Sequence, residues 1–244
     1  MLGLAATALV TSGVRVLVMQ TCGHGKYEKI LKITRSANKR WAALREFDYM
    51  SVIGVYEGGQ EWLSTYYKAL IVARELNASS YDLVFYMDTD AVVSNPSYDV
   101  RAMMHGALIA AGRGGNNGPW DINIGVALWN LRHPRAAAIV DEWVIGCKTM
   151  IESTLKGHMY GDDQSVLHAV LRRELKFQGI DTVNYTAAAR KLITDLPHAP
   201  HLHHILRPRS DDWTGNSVVD RSKVAQRLNS SMKWIETRMP GDRR

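Results

Sequence analysis

Cysteine is almost missing from this chain: only Cys22 and Cys147 occur in 244 residues. Two thiols so far apart exclude a disulfide scaffold or a cysteine zinc cluster, and each reads as a small hydrophobe. Proline is scarce as well, at seven positions, and no Pro/Gly/Ser linker separates two apolar halves. Repeats and low-complexity tracts are lacking, which excludes solenoids and fibrous arrays. Met1 to Val10 is apolar but carries no Lys or Arg and is too short to span a bilayer. Residues 1–13 are therefore expected to be a tail or the remnant of an anchor, the one route foreseen to membrane association. Acidic residues are the minority charge, 24 against 30 Lys and Arg, leaving a net +6. The basic residues are scattered rather than gathered in a stripe, which argues against a nucleic-acid partner and fits a basic pocket for a nucleotide diphosphate.

Hydrophobic residues make up 46% of the chain, enough for one sizeable core, and residues 14–244 are expected to form one domain. The most telling stretch is Leu83-Val84-Phe85-Tyr86-Met87-Asp88-Thr89-Asp90-Ala91-Val92-Val93. Five apolar residues suit a parallel strand covered on both faces, and open α/β sheets bind ligands at the carboxyl ends of their strands. Asp88 and Asp90, two positions apart in a partly dry site, would raise each other's pKa, so a hard divalent cation is the natural third party.

Before that strand the pattern alternates. Val14 to Met19 reads as a strand running through Gln20 into a loop, and Tyr27, Ile30, Leu31, Thr34, Ala37, Trp41 and Leu44 recur at helical spacing. Phe47 to Tyr56 reads as a second strand. Gly58-Gly59 ends it, and Trp62, Tyr66, Ala69, Leu70, Ala73 and Leu76 mark a second helix closed near Ser79-Ser80. The order β-α-β-α-β predicts right-handed crossovers and a mainly parallel sheet with helices on both faces. Ala107 to Ala111 and Ile122 to Leu131 are further strands, with a glycine-rich loop from Gly112 to Pro119 between them. A helix starting at Pro134 and another over Asp162 to Glu174 complete the pattern.

An apolar strand followed by Asp-x-Asp is used by two enzyme groups. In nucleotide-sugar glycosyltransferases the carboxylates hold a divalent metal against the donor diphosphate. In phosphohydrolases of the haloacid dehalogenase type the first aspartate is a nucleophile and the second an acid/base. That motif usually opens its domain, whereas two β-α units precede it here. Asp162 and Asp163 follow no apolar strand, and Asp162 taken alone reads as a helix cap.

Five segments then occur in a telling order: Asn38-Lys39-Arg40-Trp41-Ala42, Tyr67-Lys68, Tyr81 to Val92, Asp121-Ile122-Asn123-Ile124-Gly125, and Asp163-Gln164-Ser165-Val166-Leu167. In this the chain resembles the retaining GT-A glycosyltransferases, most of all glycosyltransferase family 34, and more distantly the glycogenin-like enzymes. The likeness spans roughly Val14 to Pro208. It implies a single GT-A domain, Mn²⁺ or Mg²⁺, a UDP- or GDP-linked sugar donor and a glycan or glycoprotein acceptor. It also implies a Golgi or other secretory lumen, where the sequons at Asn77, Asn184 and Asn229 would be usable.

By that resemblance Asp90 is a direct metal ligand, and Asp88 serves both metal and donor. Gln20, Lys68, Gly125 and Arg207 join the donor-binding set, although Lys68 on its own reads as an exposed helix lysine. Asn123 would bond a sugar hydroxyl beside the space that Gly125 leaves, and Asp163 and Gln164 would lie near the anomeric carbon. Gln is a poor nucleophile, so front-face transfer is expected over a double displacement through Asp163. The third metal ligand is expected in Pro200 to Pro208, with His204 first, His201 second and His203 also present. The glycine usual after that histidine is missing here, and Arg207 and Arg209 are candidates to clamp the diphosphate. A phosphohydrolase and a non-catalytic nucleotide-sugar-binding protein are the alternative readings.

Overall fold

The computed structural model describes residues 13–23, 26–54, 65–114, 118–156, 158, 161–177, 193–195 and 202–204. Its first elements are β1 (Val16–Cys22), α1 (Lys26–Leu44), β2 (Asp48–Ile53), α2 (Tyr67–Ala78) and β3 (Leu83–Met87), the alternation the sequence predicts. There follow β4 (Ala91–Val93), a 3-10 turn (Val100–Met103), β5 (Ile109–Arg113) and β6 (Ile122–Asn130). The last are α3 (Ala136–Leu155), α4 (Asp163–Phe177), β7 (Ile193–Asp195) and β8 (Leu202–His204). Gly58, Gly59, Trp62, Asn184 and Asn229 lie outside the described residues.

Every residue of β1 and of β3 is buried, as strands covered on both faces must be. Alternation sends Leu17, Met19, Val84 and Tyr86 into a core shared with α2, α3 and α4. Val16, Val18, Leu83, Phe85 and Met87 face the opposite core, where Trp41 of α1 meets Phe85 and Phe47 edge to face. On the first side Trp129 of β6 stacks on Trp143 of α3 at 5.0 Å and 10°. Each large apolar side chain removed from water here contributes about 1.5–3 kcal/mol. Helix α2 stops at Ser79, whose left-handed backbone (φ 51°) turns its N–H back to the carbonyls of Glu75 and Leu76.

The main sheet has the order β2-β1-β3-β6-β5-β7. Five strands share a direction, and β6 alone runs against its neighbours β3 and β5. The chain moves outward from β1 to β2 and then back across to β3, so the strand order reverses between β1 and β3. That reversal opens a crevice at their carboxyl ends, where Asp88 follows β3.

The antiparallel course of β6 brings its first residues to the same end: Met87 pairs with Val126. On its other side β6 slips against β5, from Ala111 opposite Ala127 to Gly112 opposite Asn123. Ile124, Gly125 and Val126 are left without register partners on β5, a bulge of the kind that re-aims a strand locally. The remaining strands, β4 and β8, form a separate two-stranded antiparallel ladder in which Ala91 faces His204. Among the described residues no helix is long and apolar enough to cross a membrane.

Candidate active site

The acidic pair sits on a β-turn between β3 and β4. Ala91 donates its N–H to the Asp88 carbonyl at 3.0 Å and closes the turn, and Asp88 donates its own N–H to the Gly125 carbonyl at 2.5 Å. The sequence showed an apolar exit after Asp90; the structure makes that exit a new strand in a different sheet. Because β8 pairs with it, a histidine far along the chain arrives beside the carboxylates. His204 Nε2 lies 3.4 Å from Asp90 Oδ1 and 3.8 Å from Asp88 Oδ2.

One ligand atom from each of Asp88, Asp90 and His204 falls within 4.8 Å of the others. Two carboxylate oxygens and an imidazole nitrogen suit Mn²⁺ or Mg²⁺ in their chemistry. Gly125 tests the fit independently. A methyl group there would overlap His204 Cε1 and stand 2.6 Å from Asp88 Oδ2, so the space between these groups depends on a missing side chain. The imidazole is held above its ordinary pKa: burial works against its charge, but the bond to Asp90 and the field of Asp88 outweigh it.

Behind this cluster lies a buried lysine. Lys68, in the first turn of α2, is no exposed helix residue: its ammonium is 3.2 Å from Asp88 Oδ1 and 3.2 Å from Asp163 Oδ2, with its side chain 8% exposed. It also stands 5.0 Å above the Tyr86 ring, whose hydroxyl shares a hydrogen bond with Thr21. Burial alone would discharge the amine, yet Asp163 and Asp88 hold its pKa well above the ordinary lysine value. Burial pushes the Asp163 carboxyl up, with Lys68 working in the opposite direction.

Asp163 opens α4, where Trp143 donates its indole N–H to the Asp163 carbonyl at 2.8 Å. The preceding Asp162 caps the helix as expected: its Oδ1 accepts the Ser165 N–H at 2.6 Å. Gln164 points toward β6, and its Oε1 accepts the Ile124 N–H at 3.1 Å. On the same bulge Asn123 Oδ1 accepts the Gly125 N–H at 2.9 Å. Lys68, Asp88, Asp90, Asn123, Gly125, Asp163, Gln164 and His204 are thus gathered at one end of the sheet, drawn from five separate elements and turns.

Gln20, expected in the donor-binding set, lies inside the fold. It is 0% exposed, and its amide nitrogen is turned to the carbonyls of Asp88 and Ala91, so it holds the acidic turn from inside. Arg207, Arg209 and His201 lie outside the described residues, as does the His203 side chain. Residues that sequence reasoning missed are Thr34, Asn38 and Tyr49, which join Gln20, and His168, whose Nε2 lies 2.8 Å from the Ile122 carbonyl. One signal was available: Thr34 and Asn38 are polar residues four apart on the apolar stripe of α1.

No family model matches the chain, and no curated protein matches it by sequence. Solved structures do. One is a glycosyltransferase involved in the glycosylation of the major capsid of PBCV-1, similar over 88% of this chain and 99% of that one, at 11% identity and TM-score 0.58. Weaker likenesses are to the glycosyltransferase GlyE of Streptococcus pneumoniae (14% identity, 95% of this chain and 66% of that one, TM-score 0.44) and to the galactosyltransferase LgtC (13%, 93% and 98%, TM-score 0.42). The chain has the GT-A fold of glycosyltransferases, α/β with a mainly parallel sheet.

Proposed function

We propose that this chain is a metal-dependent retaining glycosyltransferase, related in its chemistry to family 34. It would move a hexose or pentose from a UDP- or GDP-linked donor to a hydroxyl of a glycan or glycoprotein. The observation that carries this reading is the Asp88/Asp90/His204 cluster at the switch point of a GT-A sheet, backed by a buried lysine. Residues 14–244 act in it as one catalytic domain, in the Golgi or another secretory lumen.

Asp88, Asp90 and His204 would hold Mn²⁺ or Mg²⁺, which when bound supplies positive charge against a departing diphosphate. Lys68 fixes the Asp88 carboxylate from the inner side, so that its other oxygen keeps its place opposite His204. Gly125 leaves the room that the donor needs between those groups.

Asp163 is 3% exposed and paired with Lys68, an arrangement unsuited to an attacking nucleophile. Front-face transfer, in which the leaving phosphate takes the proton of the attacking hydroxyl, accords with that burial. Gln164 and Asn123 shape the bulge of β6 beside the reacting sugar. A carbonyl oxygen has two lone pairs, so Gln164 Oε1 can face a positive anomeric carbon while it still accepts from Ile124. The phosphohydrolase alternative needs its later acidic pair at the end of a strand, whereas Asp162 and Asp163 cap and begin a helix.

The test is titration with UDP, GDP and inorganic phosphate, each with and without Mn²⁺, followed by a hydrolysis screen of activated sugars. Metal-dependent nucleotide diphosphate binding with slow release of one sugar in its original anomeric form is expected. Binding without any donor turnover would leave a nucleotide-sugar-binding protein, and phosphate binding alone would favour the hydrolase.

A further inference from the structure

The two carboxylates of the Asp88–Ala91 turn are only as well placed as the backbone that carries them, and that backbone is held from behind by three side chains from two other elements, α1 and β1. Thr34 of α1 donates its hydroxyl to the Thr89 carbonyl at 2.8 Å. Gln20 of β1 directs its amide nitrogen to the Asp88 carbonyl at 3.1 Å and to that of Ala91 at 3.4 Å. Asn38 of α1 donates to the Ala91 carbonyl at 3.0 Å and accepts the Val93 N–H at 3.0 Å.

Asn38 thereby does what a neighbouring strand would do. In a parallel ladder one residue accepts from position i+1 and donates to position i−1 of its partner, and the Asn38 amide meets Val93 and Ala91 in that same sense. Where β4 has β8 on one edge, it has a side chain on the other. The network closes on itself as well: Gln20 Oε1 accepts from Asn38 Nδ2 at 3.0 Å and from the Tyr49 hydroxyl at 2.8 Å. Gln20, Thr34 and Asn38 are each 0% exposed. Buried amides whose donors and acceptors are all engaged adopt one arrangement, since any rotation would leave a polar group unpaired.

We infer that Gln20, Thr34 and Asn38, braced by Tyr49, are positioning residues for the cation site: they set the pose of the Asp88–Ala91 turn and so the affinity of Asp88 and Asp90 for a divalent metal. This rests on the reading of Asp88, Asp90 and His204 as that site. The bonds of Gln20, Thr34 and Asn38 to this segment run to the backbone, at the carbonyls of Asp88, Thr89 and Ala91 and the N–H of Val93, and Tyr49 acts through Gln20. Mutating outer partners that orient ligands typically weakens metal binding about 10–100-fold.

The experiment compares Gln20→Met, Thr34→Val, Thr34→Ser and, on the opposite core, Ile139→Val. Mn²⁺ alone is titrated by calorimetry and by its electron paramagnetic resonance, and amide hydrogen exchange over residues 88–93 is measured in metal-free protein. Thr34→Val matches the shape of threonine, so it remains informative if Gln20→Met does not fold. The expected result is about tenfold weaker Mn²⁺ binding and faster exchange at the turn in Thr34→Val. Thr34→Ser, which keeps the hydroxyl, should restore both, and Ile139→Val should lower the thermal midpoint with Mn²⁺ affinity unaltered. If Thr34→Val loses thermal stability but binds Mn²⁺ as the wild type does, the network is structural only and the inference fails. A wild type that takes up no Mn²⁺ would overturn the metal-site reading itself, and the inference with it.

Discussion

Lys68 Nζ lies 3.2 Å from Asp163 Oδ2, and the two side chains are only 8% and 4% exposed. A pair so buried stabilises little relative to apolar residues of the same shape, but removing one partner strands the other as an unpaired buried charge. Lys68→Met is therefore expected to cost roughly 3–5 kcal/mol in urea unfolding. Adding Asp163→Asn to it should recover part of that loss, because the stranded charge disappears. Equal stability of the single and double variants would mean that the pair is not the source of the effect.

Gly125→Ala tests how closely the ligands approach. Its methyl group would overlap His204 Cε1 and come within 2.6 Å of Asp88 Oδ2, so one of those side chains must shift. Overpacking costs about 1–3 kcal/mol, which leaves the chain folded at room temperature if its stability is ordinary. Mn²⁺ affinity, read by titration, should fall at least about tenfold, since the groups displaced are the proposed ligands.

Asp90→Asn removes one negative oxygen from the cluster while it keeps the shape of the turn. A ligand that binds only the native state raises stability by about 2.7 kcal/mol at a hundred times its dissociation constant. Wild-type protein should thus show a clear rise in melting temperature with excess Mn²⁺, and the variant should show none. A retained Mn²⁺ response in Asp90→Asn would remove that residue from the ligand set.

Acid stability has a separate source at the other end of the sheet. Asp82 accepts the Arg15 N–H at 2.7 Å and the Arg132 Nε at 2.7 Å. Burial acts to raise its pKa, but those two donors prevail and hold it below the ordinary carboxylate value of 3.8. A carboxyl depressed in the folded state stabilises it fully above the unfolded value and loses that contribution as the pH falls through the folded one. Asp82→Asn should therefore cost about 1 kcal/mol at neutral pH, with the deficit vanishing in unfolding curves taken at progressively lower pH below 3.8. A deficit that is constant with pH would assign it to lost shape rather than lost charge.

Element type was legible wherever the apolar period was unbroken. The run Leu83–Met87 was read as a central strand, and the stripe from Tyr27 to Leu44 as a helix, because the exposed and buried positions of each follow directly from their periodicity. The direction of β6 was not legible: a largely apolar strand of nine residues looks the same in either orientation. Lys68 read as a surface lysine for a similar reason, since helical spacing shows which face is apolar but not which charges from elsewhere meet it. Gln20 joins the donor-binding set only through the family resemblance, since spacing along a strand does not show which way a polar side chain near its end turns. Its neighbours Thr34, Asn38 and Tyr49, contributed by other elements, hold it in the interior.

What the sequence alone determined is the local chemistry: an acidic doublet at the end of a buried strand, a histidine-bearing segment late in the chain, and a β-α alternation that makes the sheet mainly parallel. These follow from residue type and spacing, which are properties of short stretches. Only the tertiary structure decided which groups meet, because register, strand direction and the bulge in β6 depend on contacts between stretches far apart. Asp88 comes to Gly125 through an antiparallel strand, to His204 through a two-stranded ladder, and to Lys68 through the start of a helix. Each of those meetings is a long-range pairing, and the free energy that selects it belongs to the assembled sheet and its two cores.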